Sequence, residues 1–79
     1  MPSVLEQKFR HKLLLNQQYR RDIENYCRQE IGGRTYYVRQ YSGGKKWRLE
    51  NRSQIDGNRF LVELDDDAHA TILALKYGN

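Results

Sequence analysis

A single cysteine, Cys27, stands in the whole 79-residue chain. That excludes an internal disulfide and a zinc site built on clustered cysteines. It also suits a reducing compartment. No apolar run approaches the ~18–20 residues that would span a bilayer. The opening Met1-Pro2-Ser3-Val4-Leu5-Glu6 joins no basic start to an apolar run, so no signal peptide is expected. The resulting expectations are a cytoplasmic location and no membrane partner. Repeats, low-complexity tracts and linkers are missing too, and residues 1–79 read as one domain. Neither an RRM signature nor a zinc-finger spacing occurs.

What the chain does have is positive charge and tyrosine. Lysine and arginine number 14 against 10 acidic residues, a net charge of +4. The sequence pI is about 9.4 and the mean hydropathy -0.96. Such a balance favours anionic partners, nucleic acid or an acidic protein patch among them. Six tyrosines, two phenylalanines and one tryptophan supply a core and leave rings for the surface.

Residues 3–31 read as one long amphipathic helix. Ser3 and Glu6 have the spacing of a capping box, and Gly32-Gly33 would end the helix. At ~100° per residue, Leu5, Phe9, Leu13, Tyr19, Ile23, Tyr26, Cys27 and Ile31 share a stripe. Two residues disagree: Leu14 points the opposite way, and Asn16 sits inside the stripe. A helix of this length runs roughly 42 Å, more than a small domain can cover. A homodimer through this helix is therefore expected, with Asn16 as a polar register position; a solvated asparagine is the competing reading.

Residues 34–64 read as a three-stranded antiparallel meander with strands 34–41, 45–55 and 58–64. Gly43-Gly44 and Asp56-Gly57 are its two turn signals. One face collects Tyr36, Val38, Trp47, Leu49, Ile55, Phe60, Val62 and Leu64. Residues 65–77 read as a short helix capped by Asp65-Asp66-Asp67 and stopped by Gly78. Ala68, Ile72 and Leu75 would pack on the sheet, while Leu73 and Tyr77 point elsewhere. The expected fold is α+β, a two-layer α-β-β-β-α domain with both helices on one face.

The opposite face of that sheet would display Tyr37, Arg39, Tyr41, Lys46, Arg48, Arg52 and Arg59, with Leu61, Glu50 and Glu63 among them. The two-glycine turn sets Arg39 across from Arg48, a like-charge pair that costs the sheet a few tenths of a kcal/mol unless an anion lies between. Changing Arg48 to Thr should then leave the fold no less stable. Tyrosines interleaved with arginines suit single-stranded nucleic acid, since bases stack on rings while cations meet phosphates. An ordinary solvated sheet face is the competing reading. A second basic line on the long helix, Arg10, Arg21 and Arg28, is read mainly as helix support through the i,i+4 pairs Glu6–Arg10 and Glu24–Arg28.

The enzyme reading is weak. Glu50 across from Glu63 would be a carboxylate pair able to hold a divalent metal, but no third acid or nearby histidine is supplied. His11 and His69 are isolated, Asp65-Asp66-Asp67 lacks the spacing of a calcium loop, and Cys27 lies on the apolar stripe as a core residue. No cofactor and no metal are expected.

The stretch from Phe60 to Gly78, a strand followed by Asp65-Asp66-Asp67 and a helix, resembles the strand–acidic cap–helix ending of small uncharacterised proteins of tailed bacteriophages. The resemblance implies a phage-encoded accessory or virion component in a bacterial cytoplasm, and it lends no functional residues. The expected function is a small non-enzymatic protein that binds nucleic acid through the basic tyrosine face. The alternative is a protein-interaction module, a modulator of a host protein or a virion part, that uses Leu14, Asn16, Leu73 and Tyr77.

Overall fold

The computed structural model describes residues 8–39, 41–50 and 57–78. Within it, the middle of the expected long helix is a strand, β1, His11–Asn16. The two misfits of the helical stripe become regular in this conformation. Side chains alternate along a strand. Leu13 and Leu15 therefore face Val62 and Phe60 on one side, and Leu14 meets Leu61 on the other. Asn16 ends the strand and caps the adjoining turn, its Oδ1 accepting from Gln18 N at 2.9 Å. The rest of the expected helix survives over residues 17–31. A tight 3₁₀ turn, Gln17–Tyr19, leads into α1, Arg20–Tyr26, and a wider π turn, Cys27–Ile31, closes it. Gly32 (φ +74°) stops the helix, donating its N–H to Cys27 O, a conformation that glycine takes without steric cost. The Glu24–Arg28 pair forms as expected, at 3.1 Å.

The sheet has five strands rather than three. After β1 come β2, Tyr36–Tyr37; β3, Tyr41–Gly43; β4, Trp47–Glu50; and β5, Arg59–Leu64. Their spatial order is β1-β5-β4-β3-β2, and every neighbouring pair is antiparallel. The α-β-β-β-α layout with a long N-terminal helix is thereby corrected to β-α-β-β-β-β-α. What was expected as one strand over 34–41 is a second hairpin, turning where Val38 N donates to Tyr41 O. The turn near Gly43-Gly44 does exist, but it falls on Gly44-Lys45-Lys46 and leaves Gly43 inside β3. Gly43 (φ +135°) is required there, because a Cβ would stand 2.3 Å from Trp47 O. Asp56 and the cap at Ser3 and Glu6 lie outside the described residues, as do Ile55 and the Glu6–Arg10 pair.

The last element is α2, Asp67–Tyr77, with Asp66 as N-cap and Gly78 donating to Ala74 O at the far end. Both helices lie on one face of the sheet. Their buried Ile23, Cys27, Ala70 and Leu73 meet Leu15, Trp47, Leu49, Phe60, Val62 and Leu64 in a single core. The helix α2 is turned relative to expectation: Leu73 is buried, whereas Ile72 and Leu75 are exposed. Apolar residues occur on every side of this helix, so periodicity could not choose the face. Packing against β1 did.

Candidate nucleic-acid interface

The register determines which cations are available to a partner. Arg48 does not face Arg39. It stands across from Gly43 on one side and Glu63 on the other. Its Nε and Nη2 donate to Glu63 Oε1 at 3.1 and 3.0 Å, and the two residues are 5% and 4% exposed. The guanidinium lies between the rings of Tyr41, at 4.4 Å, and Phe9, at 5.2 Å. Arg48 is therefore committed to an internal ion pair with Glu63 and to the ring of Tyr41. This also dissolves the carboxylate pair, since Glu50 stands across from Tyr41 instead of Glu63.

The remaining expected site residues are dispersed. Arg39 is exposed in the β2–β3 turn, Arg59 begins β5 opposite Asn16, and Arg52 lies outside the described residues. Tyr37 pairs with Ser42 and so belongs to the helix-bearing face; Arg28 lies 5.2 Å above its ring. Tyr36 and Val38, expected in the core, are exposed. Of the expected protein-contact residues, Leu14 is exposed on the outer face and Asn16 is the helix cap. Leu73 is core, and Tyr77 packs on Tyr19 with ring centroids 5.3 Å apart.

Lys46 belongs to a tighter cluster. The Gly32-Gly33 link returns the chain from the helix to the sheet edge, anchored where Trp47 Nε1 donates to Gly32 O at 3.1 Å. Arg34 then runs beside the β3–β4 turn: a Cβ on Gly44 would touch Arg34 O at 2.2 Å, and only a glycine admits that approach. The stem of Lys46 lies along Gly33, within 3.2 Å of where a Cβ would be. Together Gly33, Arg34, Tyr36, Lys45 and Lys46 line a cleft of about 330 Å³. Among the described residues, three cations line it and no carboxylate does. Arg34 Nη1 donates to the Tyr36 hydroxyl at 3.4 Å, with its guanidinium 5.9 Å from the ring centroid. A second cavity of about 330 Å³, behind Lys45 and Lys46, is bounded by Ile31, Asp65, Asp66 and His69. Among the described residues no ion pair within 4 Å joins those lysines to those aspartates.

Other titratable groups serve the fold. Burial pushes the Cys27 thiol up to about 12, with Glu24 adding to the effect, so the cysteine stays protonated and inert. Burial also lowers Arg20, opposed by Glu24 and Glu50, as its guanidinium covers Phe60 at 5.3 Å and donates to Glu50 O and Ser42 Oγ. Tyr26, raised by burial and then by Glu30, holds His69 Nδ1 at 2.8 Å. Among the described residues no group of three or more His, Cys, Asp or Glu could hold a metal ion, and no helix is long and apolar enough to cross a membrane.

Arg34 and Lys45 were not expected as site residues from sequence, and Tyr36 was expected in the core. Their signal was nonetheless present: each glycine pair is followed by a base, Gly32-Gly33-Arg34 and Gly43-Gly44-Lys45-Lys46, and antiparallel pairing brings both to one end of the sheet. Comparison of the chain with protein-family models, curated proteins and solved structures returned no match.

Proposed function

We propose that this protein is a small non-enzymatic binding protein that takes nucleic acid at the β2 edge of its sheet. The observation that carries the reading is the cleft of Arg34, Lys45, Lys46 and Tyr36, where three cations share one lining with no carboxylate among the described residues. Like charges held together repel unless an anion lies among them. The exposed Arg39 and the Arg28–Tyr37 pair extend the positive surface along the same edge. The net charge of +4 supports attraction of a polyanion from a distance. The likeness of residues 60–78 to small tailed-phage proteins supports an accessory role in a bacterial host cytoplasm.

The test is the salt dependence of binding to sheared DNA and bulk RNA. Log affinity should fall linearly with log salt, and the double variant Lys45→Gln, Lys46→Gln should flatten that slope by about one to two units. An unchanged slope would remove these lysines from the interface. A second reading, a protein-interaction module, is favoured by one observation: on α2, Leu75 is 76% exposed and Ile72 43%. Binding through that ridge would hardly respond to salt and would be lost in Leu75→Lys.

A further inference from the structure

We propose that the cleft is a phosphate subsite for single-stranded nucleic acid, with bases stacked on Tyr36 and Tyr37, so that the protein prefers single strands to duplex. This rests on the nucleic-acid reading above and narrows it. The cleft is small, and two of its three cations, Lys46 and Arg34, are positioned by their neighbours. Lys46 is laid along Gly33, Arg34 is tied to the Tyr36 hydroxyl, and the turn is fixed by Gly44 N donating to Trp47 O at 2.8 Å. Such a site meets one phosphate group without reorganising. On the far side of Lys45 and Lys46, Asp65 and Asp66 repel an anion. The polyanion is therefore directed toward β2 and its tyrosines.

Tyr36 and Tyr37 are consecutive on the edge strand, so their rings project to opposite faces of the sheet. They are 42% and 61% exposed, and each has an arginine against it, Arg34 and Arg28. Two ring–guanidinium pairs on the two sides of one edge suit a chain that can bend round it. A duplex keeps its bases stacked inside and is stiff over ~150 base pairs, so it offers neither a free base nor the bend. A flexible single strand offers both, and stacking on a ring is tolerant of base identity. A phosphopeptide or an acidic protein would meet the cations and leave the rings without a role.

The experiment is fluorescence anisotropy at low salt with a 12-nucleotide oligothymidylate, a 12-base-pair duplex and a polyglutamate of matched charge. The proteins are the parent, Tyr36→Leu, Tyr36→Phe and Lys46→Gln, each checked for its fold by circular dichroism. The parent should bind the single strand at least tenfold more tightly than the duplex. Tyr36→Leu should weaken single-strand binding by roughly 5- to 100-fold with the salt slope unchanged, and Tyr36→Phe, which keeps the ring and gives up only the hydroxyl that Arg34 meets, should recover most of the loss. Lys46→Gln should flatten the single-strand slope by about 0.7. Equal affinity for single strand and duplex, or no loss in Tyr36→Leu, overturns this inference and leaves the nucleic-acid reading standing. Polyglutamate bound as tightly as the oligonucleotide overturns both in favour of an acidic protein partner. Failure of any oligonucleotide to bind also overturns both.

Discussion

Arg48 lies against Glu63 with Phe9 and Tyr41 over its guanidinium, almost entirely out of solvent. As an unpaired cation opposite Arg39, it would be dispensable to the fold. As half of a buried pair, it is not. Removing one member leaves the other charge desolvated and unmatched, which costs about 3–5 kcal/mol, whereas replacing both by apolar residues is often neutral or stabilising. Arg48→Met should accordingly lower the urea midpoint severely, and Arg48→Met combined with Glu63→Leu should recover most of the loss. A single variant that unfolds at the parent's midpoint would mean that Glu63 reaches water when Arg48 is gone.

The elements are joined at one end by side chains that neither strand nor helix needs for itself. Asp65 Oδ1 accepts from Arg10 N at 2.8 Å, and Asp67 Oδ1 meets His11 Nε2 at 2.5 Å with Arg10 Nη2 at 3.7 Å. The acidic start of α2 thus clasps the beginning of β1. The hydrogen bond from His11, then the charge of Arg10, holds the Asp67 carboxyl below its ordinary value. A carboxyl depressed in the folded state binds protons more readily once unfolded. Its contribution is therefore complete above the unfolded value of about 3.9 and lost as pH falls through the folded one. Urea unfolding of Asp67→Asn against the parent should show a difference that shrinks as pH falls below about 4. The effect is small, because the carboxylate is exposed and screened. A difference that grows in acid would contradict the sign.

At the scale of the molecule, one core joins every layer, and Trp47 is its largest fully buried side chain. It sits on β4 between β3 and β5, and its indole holds the helix end through Gly32. Trp47→Ala should cost about 3–5 kcal/mol, from lost burial and from a cavity that the surroundings fill only partly. Domains of this kind have about 5–15 kcal/mol in all. The variant should therefore lose a large share of its stability, and thermal melting by circular dichroism should show a clearly lowered midpoint. A melt like the parent's would place Trp47 outside the core. The homodimer expected through a long helix loses its basis here, since residues 11–16 are a strand and Leu13 of the expected stripe faces β5 within the same chain.

The sequence by itself determined the faces of β4 and β5, the presence of a helix through residues 17–31 and its Gly32 stop but not its start, and the cap and stop of α2. These rest on local chemistry: alternation, glycine at positive φ, and an aspartate accepting from free N–H groups. Register was a tertiary decision. Arg48 meets Gly43 instead of Arg39, and Glu63 meets Arg48 instead of Glu50, slips of four and two residues. Even slips keep every side chain on its face while changing every neighbour, so Trp47, Leu49, Phe60, Val62 and Leu64 fell correctly and the charged partners did not. At β2 an extra hairpin intervened, and Tyr36 and Tyr37 exchanged sides. Residues 11–16 show the deepest limit. Leu13 suits a helical stripe or a strand, and the contrary signal of Leu14 was outweighed by the stripe that continues through Tyr19, Ile23 and Cys27. The choice comes from β5, far along the sequence, whose open edge pairs with all of β1. At the other edge of the sheet, the pairing of β2 with β3 and of β3 with β4 put Arg34 beside Lys45 and Lys46, so the cleft existed only once those strands had found one another.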